Sequence, residues 1–159
     1  MGAVEVLVDF RYLQVVPGLM EAATSIIRVA QYKMHVKGRA AGKTARILAE
    51  KLAAKVRDGV EVRVLLYKSG SGTRVGKVNA DVAEWLKERG VEVRYLPSGR
   101  TIHAKLVLVD DQVAVVGSHN WAVNSMKGNF EVSVVVRDGE VVSDLAARFD
   151  ALWREARPF

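Results

Sequence analysis

The sequence predicts an α/β fold, a mixed β-sheet with helices on both faces. Three observations carry this. Short branched apolar runs alternate with helical stretches over the first two thirds of the chain. The last third then brings two consecutive strands around a tight turn, "TIHAKLVLV-DDQ-VAVVG", which introduces antiparallel pairing. Half of the 159 residues are apolar, enough to build a core.

Each element has its own signal. "AVEVLVDF" is branched and apolar, a strand, and in "VPGLMEAATSI" Pro17 is expected to open a short helix. "SIIRVAQYKM" follows as a second strand. "GKTARILAEKLAAKVRDG" sets Ile47, Leu48, Leu52 and Val56 at helical spacing and stops at Gly59. "VEVRVLLY" is a buried strand, "SGSGTRVG" a flexible loop, "VNADVAEWLKERG" a helix and "VEVRYL" a strand. After the hairpin, "FEVSVVV" is the last strand. "EVVSDLAARFDALWREA" closes the chain as an amphipathic helix with Val142, Leu145, Phe149 and Leu152 on one stripe. Trp121 and Trp153 are expected as packing anchors, and His35 and His119 at the surface. No repeat, low-complexity segment or linker interrupts residues 1–159, which read as a single domain.

Composition narrows the function. The chain lacks cysteine, so disulfides and thiolate metal sites are excluded; no zinc site and no cofactor is expected. The N-terminus carries Glu5 and Asp9 rather than a basic n-region, and no apolar run approaches a membrane span, so a cytoplasmic protein without stable membrane association is expected. Three glutamines and four asparagines fit a thermophilic source. The net charge is +6, but residues 31–77 alone hold twelve Lys/Arg against three acids, or +9. Such a window is either a solvated surface or a field for a polyanion. Its cations include Lys33, Lys37, Arg39, Lys43, Lys68, Arg74 and Lys77 on two Gly-containing loops that follow strands, where α/β folds place ligands. These seven are the candidate nucleic-acid contacts.

The chemistry concentrates in "GRTIHAKLVLVDDQVAVVGSHNWAVNSMKGNFE". Alternation along the expected strand turns His103 and Lys105 to one side. Ser118 and Asn120 follow Gly117, and Asn129, Glu131 and Ser133 form a third set two apart. Burying so many polar groups unpaired would cost several kcal/mol, so a shared polar pocket is expected. An imidazole can attack phosphorus and form a covalent intermediate. Lys105, with the amide and hydroxyl donors, can neutralise phosphate oxygens as charge builds. Glu131 can accept the second ring N–H of a histidine.

The stretch resembles the HKD signature of the phospholipase D superfamily, H-x-K-x4-D-x6-G-S-x-N, here His103, Lys105, Asp110, Gly117, Ser118 and Asn120. Ser125, Asn129 and Glu131 resemble the segment that follows it. The resemblance implies one phospholipase D-like HKD domain over nearly the whole chain. It also implies a phosphohistidine on His103 and phosphate binding by Lys105 and Asn120, with Ser118 and Glu131 as further site residues. Asp110, on the opposite face of its strand, is expected to be structural or supporting. Members usually carry two such motifs and this chain has one, so a homodimer through the HKD face is expected, the second His103 serving as general acid. The implied function is a metal-independent phosphodiesterase. With the basic window, a nuclease on DNA or RNA comes first. The alternative is a phospholipid-acting phospholipase D or phosphatidyltransferase, and a binding module without catalysis ranks last.

Overall fold

The computed structural model describes residues 2–36, 38, 42–70 and 72–159, the side chains of residues 42–44 excepted. Among the described residues the branched runs form eight strands of one sheet. They are β1 (Val4–Val8), β2 (Ile26–Gln31), β3 (Glu61–Leu66), β4 (Glu92–Tyr95), β5 (Leu106–Val109), β6 (Val113–Gly117), β7 (Val132–Val136) and β8 (Arg157–Pro158). Their order is β1-β7-β6-β5-β2-β3-β4-β8. The β2–β3 and β3–β4 pairs are parallel and the others antiparallel, so the sheet is mixed as expected.

Helices cover both faces unequally. On one lie α1 (Arg11–Glu21), α2 (Gly42–Arg57), α3 (Arg74–Lys87) and the short α4 (Val123–Lys127). Their apolar sides meet Leu7, Ile27, Val29, Val64, Val107 and Val135 of the strands. The other face receives α5 (Gly139–Glu155), which presses Val142, Ala146, Phe149 and Trp153 onto Ala30, Leu65, Leu108 and Ala114. The Asp138 carboxylate caps α5 by accepting from the N–H groups of Glu140 and Val141, both at 3.0 Å. Leu145 and Leu152, expected on the buried stripe, are half-buried at its margin.

α5 does not reach the far edge of this face. Val4, Val6 and Val8 of β1 pair with Val136, Val134 and Val132 of β7, so their side chains form one apolar strip. Val6 is 59% exposed, and Phe10, Phe130 and Val141 are also exposed.

Several expectations are corrected. Pro17 lies inside α1 rather than opening it, so the Leu13 carbonyl lacks the usual donor four residues on. Ile47 is exposed, and Ala45 and Ala49 join Leu48 and Leu52 on the buried side of α2. α3 begins at Arg74, where Thr73 accepts from Gly76 N–H, four residues before the expected start. α4 and β8 were not expected. Most consequential for the site, strand pairing of β5 begins at Leu106, opposite Ala30 and Val116. Residues 101–105 lie outside the ladder, held at its end by Gly117 N–H donating to the Lys105 carbonyl at 3.3 Å.

Charge fastens α5 to the sheet. Arg28 of β2 is buried, and its guanidinium grips Asp150 of α5 through two bonds of 2.9 Å and Asp111 through a third of 2.6 Å. Arg63 adds a bond to Asp150 at 3.1 Å. Asp150→Ala would leave the Arg28 fork half empty inside the protein. A loss of about 3 kcal/mol is expected, read as a lower denaturant midpoint with the fold retained.

Candidate active site

His103 and Lys105 stand at the head of β5, and their side chains meet although neither lies on a strand. The Lys105 ammonium donates to the His103 carbonyl at 2.7 Å and lies 3.2 Å from Nδ1 of its ring. The ring itself is exposed and tilts against Tyr32 at 4.9 Å. Burial holds the Lys105 pKa below the ordinary lysine value, against the opposing pull of the nearby Glu131 carboxylate. An ammonium deprived of water in this way gains more from an incoming phosphate than one already solvated.

Glu131 is the second centre of the site. It is buried, yet both carboxylate oxygens are occupied: Ser118 Oγ donates to one and Asn129 Nδ2 to the other at 3.1 Å. Burial pushes its pKa up, but hydrogen bonds from Ser118, Asn129 and Ser125 outweigh that and hold it below the ordinary glutamate value. Ser118 also accepts from Val132 N–H at 3.0 Å. This reach depends on Gly117, because a Cβ there would lie 2.3 Å from Ser133 Cα and 2.4 Å from the Val132 carbonyl. Among the described residues no carboxylate meets the His103 ring, so within one chain Glu131 orients Ser118 and Asn129 instead. Asn120 is half-buried, and among the described residues its Oδ1 has no partner.

Asp110 stands apart. Both it and Asp111 have φ near +50° in the hairpin turn, and its carboxylate accepts from the backbone N–H groups of Thr24, Ser25 and Ile26 at 2.7–2.9 Å. It therefore ties the β5–β6 turn to the start of β2, at the opposite end of β5 from His103.

His119 corrects the sequence reading. It is fully buried, not at the surface, with Nδ1 2.7 Å from Ser133 Oγ and Nε2 2.9 Å from the Asp9 carbonyl. A carbonyl only accepts, so Nε2 carries a proton, and in the neutral ring Ser133 donates to Nδ1. Burial accordingly lowers its pKa. The ring stacks on Tyr12 at 4.5 Å, and Trp121 donates to the Tyr12 hydroxyl. His35 is half-buried, its pKa lowered by burial and by Lys33 and Arg74.

The cationic candidates separate. Lys68, Arg74 and Lys77 line a cavity of about 620 Å³ at the start of α3, beside Phe159. Lys33 and Arg74 line a smaller neighbouring one of about 100 Å³. Lys37, Arg39 and the Lys43 side chain lie outside the described residues. Sequence reasoning missed Tyr32 and Tyr67, which follow β2 and β3 directly; their position after two parallel strands was the available signal. Among the described residues no group of three or more His, Asp or Glu is placed to hold a metal ion.

Residues 18–153 match the protein family described as "Cardiolipin synthase, PLD-like domain". The chain belongs to the phospholipase D superfamily. It is 33% identical over 103 residues to the mitochondrial cardiolipin hydrolase of Xenopus tropicalis, a match covering 63% of this chain and 45% of that one. The chain thus spans less than half the length of that relative. In fold it is similar to Nuc of Salmonella typhimurium, a phospholipase D family member, with a TM-score of 0.82 and 19% identity over 98% of this chain and 97% of the other. It is also similar to TrmBL2, an archaeal chromatin protein described with a novel mode of DNA binding. There the TM-score is 0.61 and the identity 18%, over 99% of this chain and 54% of that one.

The Glu131 environment makes a test by pH. Its folded pKa is lowered, so its contribution to stability is full above the ordinary glutamate range and lost as pH falls through the folded value. Glu131→Gln should be less stable than wild type at neutral pH. The two denaturant midpoints should converge as pH falls below about 4.

Proposed function

We propose that the chain is a metal-independent nuclease that cuts DNA or RNA through a phosphohistidine on His103, in a site completed by a second copy of the chain. Residues 1–159 act as one HKD domain in this reading. The observation that carries it is the exposed His103 ring with the Lys105 ammonium 3.2 Å away, at the same end of the sheet as the cavity lined by Lys68, Arg74 and Lys77. A nitrogen lone pair of His103 attacks phosphorus and the bond to the leaving oxygen breaks. That oxygen takes a proton from the other copy's imidazole. Water then attacks phosphorus, gives its proton to the same imidazole and releases His103. Lys105 and Asn120 bind the phosphate, Glu131 holds Ser118, and Asp110 supports the hairpin. The exposed strip of Val4, Val6 and Val8 with Phe130 supports pairing, since a large apolar patch beside a site favours a protein partner. The DNA-binding description of TrmBL2 is consistent with a polyanion as substrate.

One feature favours the alternative, a phospholipid substrate. An apolar cavity of about 250 Å³ adjoins His103, walled by Leu65, Ile102, Leu106 and Phe149. The name of the cardiolipin hydrolase relative points the same way. No helix among the described residues is long and apolar enough to cross a membrane.

Labelled DNA and RNA strands and cardiolipin vesicles, each incubated in EDTA, separate the two readings. Strand cleavage that persists in EDTA and falls about 1,000-fold or more in His103→Ala is expected. Hydrolysis of cardiolipin alone would move the assignment to lipid. In sedimentation the wild type should be a dimer. Val6→Asp should give monomers and take cleavage with it; a fully active monomer would remove the shared site.

A further inference from the structure

Tyr32 and Tyr67 occupy equivalent places, one residue past the parallel strands β2 and β3, and Tyr67 N–H continues the ladder by donating to the Gln31 carbonyl at 3.1 Å. Their rings stack 5.1 Å apart with planes 17° from parallel, and both are half-buried. The pair adjoins the nucleophile: Tyr32 lies 4.9 Å from the His103 ring and 5.5 Å from the Lys105 ammonium. A buried amide fixes it in place. Asn79 of α3, fully enclosed, donates to the carbonyls of Tyr32 at 2.9 Å and Tyr67 at 2.7 Å, and accepts from Met34 N–H at 3.0 Å. These three hydrogen bonds hold the backbone at or beside the two rings. The next residue, Lys68, begins the cationic loop.

We propose that the Tyr32–Tyr67 pair is a stacking platform for an unpaired base next to the scissile phosphate, which makes single-stranded nucleic acid the preferred substrate. This rests on the nuclease reading and adds strandedness to it. A phosphate held by Lys105 leaves its flanking nucleotide beside Tyr32, and every base offers a face to an aromatic ring. Within a duplex those faces are already stacked, so presenting one to the tyrosines requires opening the helix, whereas a single strand needs no such opening. Packing alone does not account for an aromatic pair left half open beside an exposed histidine while a buried amide is committed to its backbone. Stacking is sequence-tolerant, in keeping with backbone contacts from Lys68, Arg74 and Lys77.

The test compares wild type, Tyr32→Leu, Tyr67→Leu and the two Tyr→Phe variants on one labelled strand, free and annealed to its complement. The free strand should be cut faster by wild type. The Leu variants should raise its KM by ~5- to 100-fold, the Phe variants should retain low KM, and the preference for the free strand should shrink without the rings. A second arm uses wild type alone, so it survives a Leu variant that fails to fold. Strands with one abasic nucleotide, moved position by position, should show weakened cleavage beside the gap. Uniform cleavage around the gap, or Leu variants with wild-type KM, would overturn the platform and leave the nuclease reading standing. If wild type cuts no nucleic acid, both fall.

Discussion

The polar site depends on how Asp9 closes the end of β1 onto β7. Its backbone N–H donates to the Glu131 carbonyl at 3.0 Å and its carboxylate accepts from Glu131 N–H at 2.8 Å, so one residue holds both sides of the Glu131 peptide. Its own carbonyl accepts from His119, whose other nitrogen reaches Ser133. Asp9 adopts φ +48° to do so, a conformation aspartate tolerates better than most residues. Everything Glu131 orients, Ser118 and Asn129 included, inherits its position from this clamp. A buried carboxylate would otherwise be costly; here its charge is spread over donors already fixed by the backbone.

The same geometry, together with the burial that lowers its pKa, favours a neutral His119. A protonated ring would carry N–H on both nitrogens, and Ser133 would have to turn its hydroxyl hydrogen away into a closed interior. Stacking on Tyr12 and full enclosure leave no water to soften that change. The two histidines of the motif region therefore divide their work by exposure. His103 is open to solvent, while His119 is enclosed and acts as a bracket between β1 and β7.

The sheet, its mixed pairing and the larger helices were legible because their signals are local: branched runs, a Gly stop at Gly59, a tight turn of aspartates. The core of α2 was misjudged at Ile47 because helical spacing alone does not say where the buried arc ends, and the small Ala45 and Ala49 fill it where the helix lies closest to its neighbours. Alternation correctly grouped His103 with Lys105 for an incorrect reason. The ladder stops at Leu106, although β2 and β6 each continue one residue further, and the two side chains meet through free backbone, with Lys105 bonded to the His103 carbonyl. His119 was unreadable because its partners, Asp9 and Ser133, lie 110 and 14 residues away and meet only through β1–β7 pairing. Tyr32 and Tyr67 were hidden similarly. Each is one aromatic residue after a strand, and only parallel register makes them a pair.

Substrate choice turns on what flanks a reaction centre that would serve either diester. The apolar cavity beside His103 holds about 250 Å³, below the roughly 300–1,000 Å³ typical of pockets that enclose small ligands. It would seat a fragment of an acyl chain rather than several chains, and Arg100 and Arg148 stand among its walls. The cavity lined by Lys68, Arg74 and Lys77 is larger, and its charges come from a loop and a helix start. An extended polyanion can run across such a surface and neutralise one charge after another, each contact releasing counterions. A lipid headgroup presents its phosphates at one point and would leave most of that surface unused. Lys68, Arg74 and Lys77, spread over a loop and the start of α3, are the charges that the nuclease proposal assigns to a polymer backbone.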